Sequence, residues 1–303
     1  MSRLAEMIQG PEPVIAPGVY DPLTARLAAA AGFKALYLAG GVLGYVKVVT
    51  EATLTLSELV QTGLEIRTVT SLPLILDGVC GFGEPMHLHR TIAMSEAAGF
   101  AAIEIEDQLI PKRAHHHVGH EHLIPMRQMV QKVEEAVAAR RDPDFLIIAR
   151  TNAVRSSSMA EALRRAEAYR AAGADMLWVL HKTPEDARII GERLGPPLMY
   201  QAMGGGLDAA GFTPAEMHDL GYRLIVDGMT PLLAAHESLS ASYRAMAQWA
   251  VDPTLGAGDR AAQARALNET IGLGKLLEIE RRTVGEVTPD GPTVPRPGAA
   301  SAR

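Results

Sequence analysis

The stretch "DGVCGFGEP", residues 77–85, closes an apolar run with an aspartate, three glycines and the lone cysteine, Cys80. A second apolar run, "AAIEIED" (101–107), ends in Glu104, Glu106 and Asp107. A third, "FLIIART" (145–151), ends in Arg150 and Thr151, with Asn152 next. Other run ends add Tyr37, Gly40-Gly41, His181, Gln201 and Asp227. Carboxylates, an arginine and amides gathered on one rim suit a hard cation together with a carboxylate substrate. Magnesium takes oxygen ligands and keeps several waters, and arginine pairs bidentately with a carboxylate. Asp77 is thus the candidate metal ligand. Gly78, Gly81 and Gly83 are expected to let backbone amides approach an anion. Each acid also has a structural alternative, capping the helix that follows, and arginine has one in neutralising such acids.

The elements that must bring these residues together are short apolar runs alternating with helical patterns. Eight candidate strands read "VIAPG" (14–18), "ALYLAG" (35–40), "PLILDG" (73–78), "AAIEIED" (101–107), "FLIIART" (145–151), "DMLWVL" (175–180), "PLMYQ" (197–201) and "RLIVDG" (223–228). They are apolar on both sides, as parallel strands covered by helices should be. Asp21-Pro22 offers an N-cap and a first-turn proline. Thr55–Glu58, Ser158–Glu161 and Thr213–Glu216 read as capping boxes. Several helices close on glycine, in "AAAAGF", "SEAAGF", "RAAGAD" and "HDLGY". Eight β-then-α units without a linker predict a (β/α)8 TIM barrel whose active site gathers at the carboxyl ends of the strands. The rival is an open doubly wound sheet; no Gly-x-Gly-x-x-Gly follows the first strand. About 75 residues follow the last strand, with helical stretches near 231–249 and 259–282 expected to pack on a neighbouring subunit. The division expected is one barrel domain with C-terminal helices over 1–285 and a flexible tail over 286–303.

Composition narrows the function classes. Of 303 residues, 48% are hydrophobic and 21% charged, which allows a sizeable core. A net charge of −6 with no basic block disfavours a nucleic-acid partner. No apolar run reaches the roughly 18 residues of a membrane span, and "MSRLAEMIQGPEP" lacks a signal-peptide core. A single cysteine fits a reducing cytoplasm.

Read jointly, "DGVCGFG", "IEIEDQLIPKR", "DFLIIARTNA" and "EALRRAEAYRAAGAD" resemble the isocitrate lyase / phosphoenolpyruvate mutase superfamily. "PGVYDPLTARLAAAAGFKALYLAGG" and "FTPAEMHDLGYRLIVDG" extend the match to roughly residues 12–235. The resemblance implies a barrel with magnesium (or manganese) at its mouth, a swapped last helix and a homotetramer. It implies cleavage or movement of a bond beside an enolate in a small 2-oxo or 2-hydroxy acid. In family terms Asp77 touches the metal, Glu106 holds it through water, and Arg150 clamps the substrate carboxylate. Tyr37, Gly40 and Gly41 match a loop that grips the substrate through backbone amides.

The departures bear on the chemistry. Val79 replaces a second metal-site acid, Ala39 a loop serine and Leu180 a glutamate; Gln201 replaces an asparagine. The lyase signature becomes Lys112-Arg113-Ala114-His115-His116, so Ala114 stands where lyases carry the acid that protonates the departing enolate. A positioned proton donor contributes about 10²–10⁴-fold. The run "HHHVGHEH" (115–122) is expected to supply it, and Lys112 or a histidine from 115–117 to complete a closing lid, which makes Lys112, His115 and His116 catalytic candidates beside Arg150. Decarboxylation or phosphorus–carbon chemistry of the phosphonopyruvate hydrolase or mutase type would not need it, and a non-catalytic carboxylate-binding homologue is the remaining alternative. The tract 115–122 is equally readable as a metal-binding run or as an exposed lid without a fixed role. Cys80 is read as a buried filler, His87 and His89 as packing or solvated, and Trp178 and Trp249 as core or interface residues.

Overall fold

Every expected strand forms, in a computed structural model that describes residues 3–202, 205–256, 258 and 260–284. They are β1 Val14–Pro17, β2 Leu36–Leu38, β3 Leu74–Asp77, β4 Ala102–Glu106, β5 Leu146–Thr151, β6 Met176–Val179, β7 Leu198–Gln201 and β8 Tyr222–Asp227. All pair in parallel, in the order β1-β8-β7-β6-β5-β4-β3-β2. The two ends of that sheet meet where Gly18 bridges Tyr37 and the Val19 N–H donates to the Tyr37 carbonyl at 2.9 Å. This closes the (β/α)8 barrel.

Strand alternation sorts the side chains into two packed layers. Leu36, Leu38, Leu74, Leu76, Ile103, Ile105 and Ile147 pack among the helices, in one buried cluster with Leu59, Ile66, Ile92 and Val133. Tyr37, Ile75, Ala102, Ile148, Met176, Trp178, Met199 and Leu224 share the second cluster, the barrel interior, with Leu4 and Ile8 from the N-terminal turn of helix. Residues in step with that inner set, two or four further along each strand, are Asp77, Glu104, Glu106, Arg150 and Gln201. The polar strand ends therefore converge because of parity, not chance.

The helix starts follow their caps. Asp21 accepts from the Thr24 N–H at 2.7 Å ahead of Pro22–Ala30. Thr55 and Thr213 form complete boxes with Glu58 and Glu216. Ser158 makes half of one: it accepts from the Glu161 N–H at 3.1 Å, but the Glu161 carboxylate turns to the guanidinium groups of Arg164 and Arg165. Charge-assisted partners win over a backbone amide. Gly32, Gly99, Gly173 and Gly221 all end helices with positive φ.

The chain divides into two compact units, Met1–Ser240 and Ala241–Arg303. The first contains the whole barrel. In the second, the stretch expected near 259–282 is two helices, Arg260–Thr270 and Leu273–Thr283, separated at Gly272 in the left-handed region with φ 72°. The tail expected at 286–303 lies outside the described residues. Among the described residues no helix is long and apolar enough to cross a membrane.

Candidate active site

At the carboxyl ends of the strands a cavity of about 140 Å³ is lined by Tyr37, Ala39, Gly41, Asp77, Arg150 and Gln201, joined by Glu51, Arg155 and Leu180. A larger groove, about 510 Å³, lies beside Pro73, Ala101 and Phe145 at the amino ends of β3–β5 and contains none of these groups. Barrel chemistry belongs to the carboxyl rim, so the smaller cavity is the candidate.

Asp77 is buried at its floor. One carboxylate oxygen, Oδ1, accepts from the Val79 N–H and the other, Oδ2, from the Gly40 N–H, both at 2.9 Å. Burial raises its pKa, the Glu51 charge adds to the rise, and Arg150 and Lys112 oppose it. The Gly40 amide, expected to grip substrate, thus serves Asp77. The glycine turn also differs from expectation: Gly78 donates to the Glu104 carbonyl and Gly81 to the Gly78 carbonyl, each at 2.8 Å. Those amides organise the turn and do not face an anion. Glu104 is fully buried. Its Oε2 accepts from the Tyr37 hydroxyl at 3.1 Å, while Oε1 has no hydrogen-bond partner. Burial, then the charge of Asp77, pushes its pKa well up.

The guanidinium carbon of Arg150 lies over the indole of Trp178, 3.9 Å from the ring centroid. Its Nε donates to Asn152 Oδ1 at 3.1 Å, and its terminal nitrogens stand 3.7 Å from Glu104 and 3.4 Å from Glu106. Glu106 is saturated. Its Oε2 accepts from Gln108 at 3.0 Å and Asn152 at 2.9 Å, and its Oε1 from Lys112. Burial works against its charge, but Arg150 and Lys112 outweigh burial and hold its pKa below the usual carboxylate range.

Lys112 also donates to Glu51, and Glu51 receives His116 Nε2 at 2.9 Å. For Glu51 burial is outweighed by Lys112 and His116, leaving a pKa of about 2. The other ring nitrogen of His116 faces the Arg113 carbonyl at 2.7 Å. Both neighbours accept, so the ring carries both protons. Burial lowers its pKa, yet the bonds to Glu51 and Arg113 raise it overall. His115 instead meets His122 at 3.3 Å on the exposed side of the loop, and His117 meets Thr50 and Tyr45.

Three groups escaped the sequence reading. Glu51 is on a 3-10 turn, Glu51–Thr53, rather than a strand end; its one signal is that it is the sole acid between Ala39 and Thr55. Arg155 lies on the helical turn Ala153–Ser156, and its partner Glu121 lies on the loop after β4. Other rim residues have structural roles. Asp107 is buried among Thr151, Arg165 and Tyr169, and Asp227 caps the helix beginning at Thr230. His181 stacks on Tyr200. Cys80 is buried, with burial and then Glu106 raising its thiol pKa. His89 pairs with Glu135 at 2.6 Å on the surface. Trp178 is core, whereas Trp249 is fully exposed.

The sequence matches the phosphoenolpyruvate phosphomutase family model over residues 4–247. The chain belongs to that family. It is 31% identical to a 2,3-dimethylmalate lyase of Eubacterium barkeri, over 92% of this chain and 96% of that one. It is 38% identical to a 2-methylisocitrate lyase of Aeropyrum pernix, over 77% and 75%. Among solved structures, a phosphoenolpyruvate phosphomutase from Streptomyces platensis superposes with a TM-score of 0.84 at 27% identity, covering 93% of this chain and 98% of that one. A phosphonopyruvate hydrolase in complex with oxalate and Mg++ superposes at 0.78 and 26% identity, with the same coverage. The (β/α)8 barrel described above agrees with that family bond.

Proposed function

We propose that this chain is a magnesium-dependent carbon–carbon lyase acting on a small 2-hydroxy- or 2-oxo-dicarboxylic acid. One observation carries the reading: Arg150, charged and pinned on Trp178, shares with Asp77 a cavity of about 140 Å³. That is below the roughly 300–1,000 Å³ of sites for drug-sized ligands, so the occupant is small. The names of the relatives, lyases of dimethylmalate and methylisocitrate, support the substrate class.

Among the described residues no group of three or more His, Cys, Asp or Glu side chains is arranged to hold a metal ion. A magnesium ion needs fewer, since it keeps its waters and takes one or two carboxylates. The residues fit it on that basis. Asp77 spends one bond per oxygen and keeps lone pairs, and the orphaned Oε1 of Glu104 is a buried acceptor that a metal-bound water would satisfy. Glu106 is filled by protein donors, so the outer-shell role proposed for it requires a metal-bound water to replace one of them. Manganese has the same preference for oxygen ligands. When bound, the ion supplies Lewis-acid stabilisation of the developing oxyanion.

The chain's own residues do the rest. Arg150 pairs with the carboxylate next to the reacting carbon, its orientation fixed by the indole and Asn152. Tyr37, Ala39, Gly40, Gly41 and Gln201 shape the walls around the substrate. For a 2-hydroxy diacid the hydroxyl proton passes to solvent water, C2 becomes a carbonyl, and the C–C electron pair departs as an enolate that takes up a proton. Lys112 at Nζ and His116 at Nε2 hold protons beside Glu51, which lines the cavity, although neither lines it directly. The proposal gives this task to His116, because His115 turns to His122. For a 2-oxo diacid, carbon dioxide leaves and the enolate is protonated afterwards. Phosphorus–carbon chemistry is the second reading, favoured by one observation: Ala114 offers no proton where a lyase acid belongs. Exposed Leu267, Ile271, Leu276 and Leu277 support assembly, proposed as a homotetramer, and the lone reduced Cys80 supports a cytoplasmic location.

The test incubates the protein, with magnesium and with chelator, against dimethylmalate, methylisocitrate, oxaloacetate and phosphonopyruvate. Pyruvate, carbon dioxide and phosphate release separate the reaction types. Phosphate release alone selects the second reading. Absence of turnover on every compound, with no magnesium-dependent oxalate binding, removes the lyase proposal.

A further inference from the structure

We infer that Arg155 is a second carboxylate clamp, which makes the cavity selective for diacids over monoacids of the same head group; this rests on the lyase reading above and deepens it. Arg155 lines the same cavity as Arg150 and Asp77. It comes from the turn Ala153–Ser156, directly after the strand that carries Arg150. Parity gives Arg150 its inward direction; the turn gives Arg155 a different approach, from the rim. Two guanidinium groups therefore address one small space from two positions, as a molecule charged at both ends requires.

The partner of Arg155 explains why the group is more than a surface ion pair. Its Nη1 stands 3.3 Å from Glu121 Oε1, and the Glu121 side chain is only 3% exposed. Glu121 Oε2 is buried and has no hydrogen-bond partner. A pair built for stability alone would engage both oxygens in the bidentate fork that arginine favours, because an orphaned buried acceptor is costly. Here Glu121 holds one terminal nitrogen of the guanidinium, among the described residues no other hydrogen bond engages its five donors, and the residue lines the cavity. Glu121 is thus a positioning residue: it aims Arg155 without consuming its fork. Charge agrees. The acidic and basic side chains of the lining are Glu51, Asp77, Arg150 and Arg155, two of each formal sign. A dianion accompanied by a divalent cation keeps that balance, and a monoanion does not.

Malate and lactate test this, since they share the 2-hydroxy acid head and differ in the distal carboxylate. Binding of racemic malate and racemic lactate is measured calorimetrically with magnesium present, in the wild type and in Arg155→Gln, Arg155→Lys and Glu121→Gln. The wild type should prefer malate by about 10–100-fold, the range of a charge-assisted hydrogen bond. Arg155→Gln should bring the two acids within a few-fold of each other by weakening malate, with lactate unchanged. Arg155→Lys should retain part of the preference, as a point charge without the fork. Glu121→Gln should reduce the ratio by less, again with lactate unchanged, which a merely structural role would not do. An unchanged malate-to-lactate ratio in Arg155→Gln overturns the inference and leaves the lyase reading standing. Wild-type protein that binds neither acid overturns both. Equal loss of both acids in a folded Arg155→Gln, checked by circular dichroism, also overturns it.

Discussion

Replacing Lys112 by methionine removes the cation that Glu51 and Glu106 share. The lysine side chain is 5% exposed, and the two carboxylate side chains are 10% and 0% exposed, so water cannot screen what is left behind. Breaking a buried ion pair by removing one partner costs about 3–5 kcal/mol. Each acid here keeps a second cation, His116 for Glu51 and Arg150 for Glu106. That places Lys112→Met near the lower end, about 3 kcal/mol. At the ~2–4 °C per kcal/mol of domains this size, Tm should fall by roughly 6–12 °C. Glu51→Gln is the complementary change. It leaves Lys112 paired with Glu106 but takes the acceptor from His116. In the double variant neither uncompensated Glu51 nor an over-charged loop remains, so the losses should fall short of additive by about 1–3 kcal/mol. The assay is urea or thermal unfolding of the four proteins, with activity measured alongside. Activity should not return in the double variant even as stability does. Single losses that sum within about 0.5 kcal/mol would show that the three groups do not act as a buried network, and the account of the loop would be wrong.

Gly78→Ala should destabilise the barrel by about 1–3 kcal/mol through overpacking, since the added Cβ would lie 2.6 Å from the Glu104 carbonyl and 2.7 Å from Ile103; a variant as stable as wild type in chemical unfolding would contradict the close β3–β4 approach. His181 has a pKa lowered to about 4 from its usual 6.5 by burial. The unfolded chain therefore binds a proton that the folded chain refuses between those values. Its contribution is fully present above pH 6.5 and is lost as pH falls toward 4, about 3 kcal/mol in all. His181→Phe should flatten that limb of the stability–pH curve, and parallel curves for the two proteins would refute the assignment.

Much of the molecule was legible because its signals are local and periodic. The eight strands read as apolar runs between cap and glycine signals, and their order alone implied a barrel. Asp77, Glu106 and Arg150 were legible for a related reason: each ends such a run, and the carboxyl end of a barrel strand has a known place in space. Glu51, Arg155 and Glu121 were not, because turns and loops have no period that fixes direction. The use of the Gly40, Gly78 and Gly81 amides was misread. A glycine-rich turn after a strand looks the same in sequence whether its amides face a ligand or tie the turn to its neighbours. The break at Gly272 was missed because a glycine inside a helical pattern gives no sign of its φ until the chain around it is placed.

The indole beneath Arg150 ties the rim to the interior. Trp178 is fully buried, and the guanidinium carbon stands 3.9 Å from its ring centroid, so the seat of this cation belongs to the packed interior of the barrel. A smaller side chain in place of the indole would remove the platform, and a change made deep in the core would be felt at the mouth.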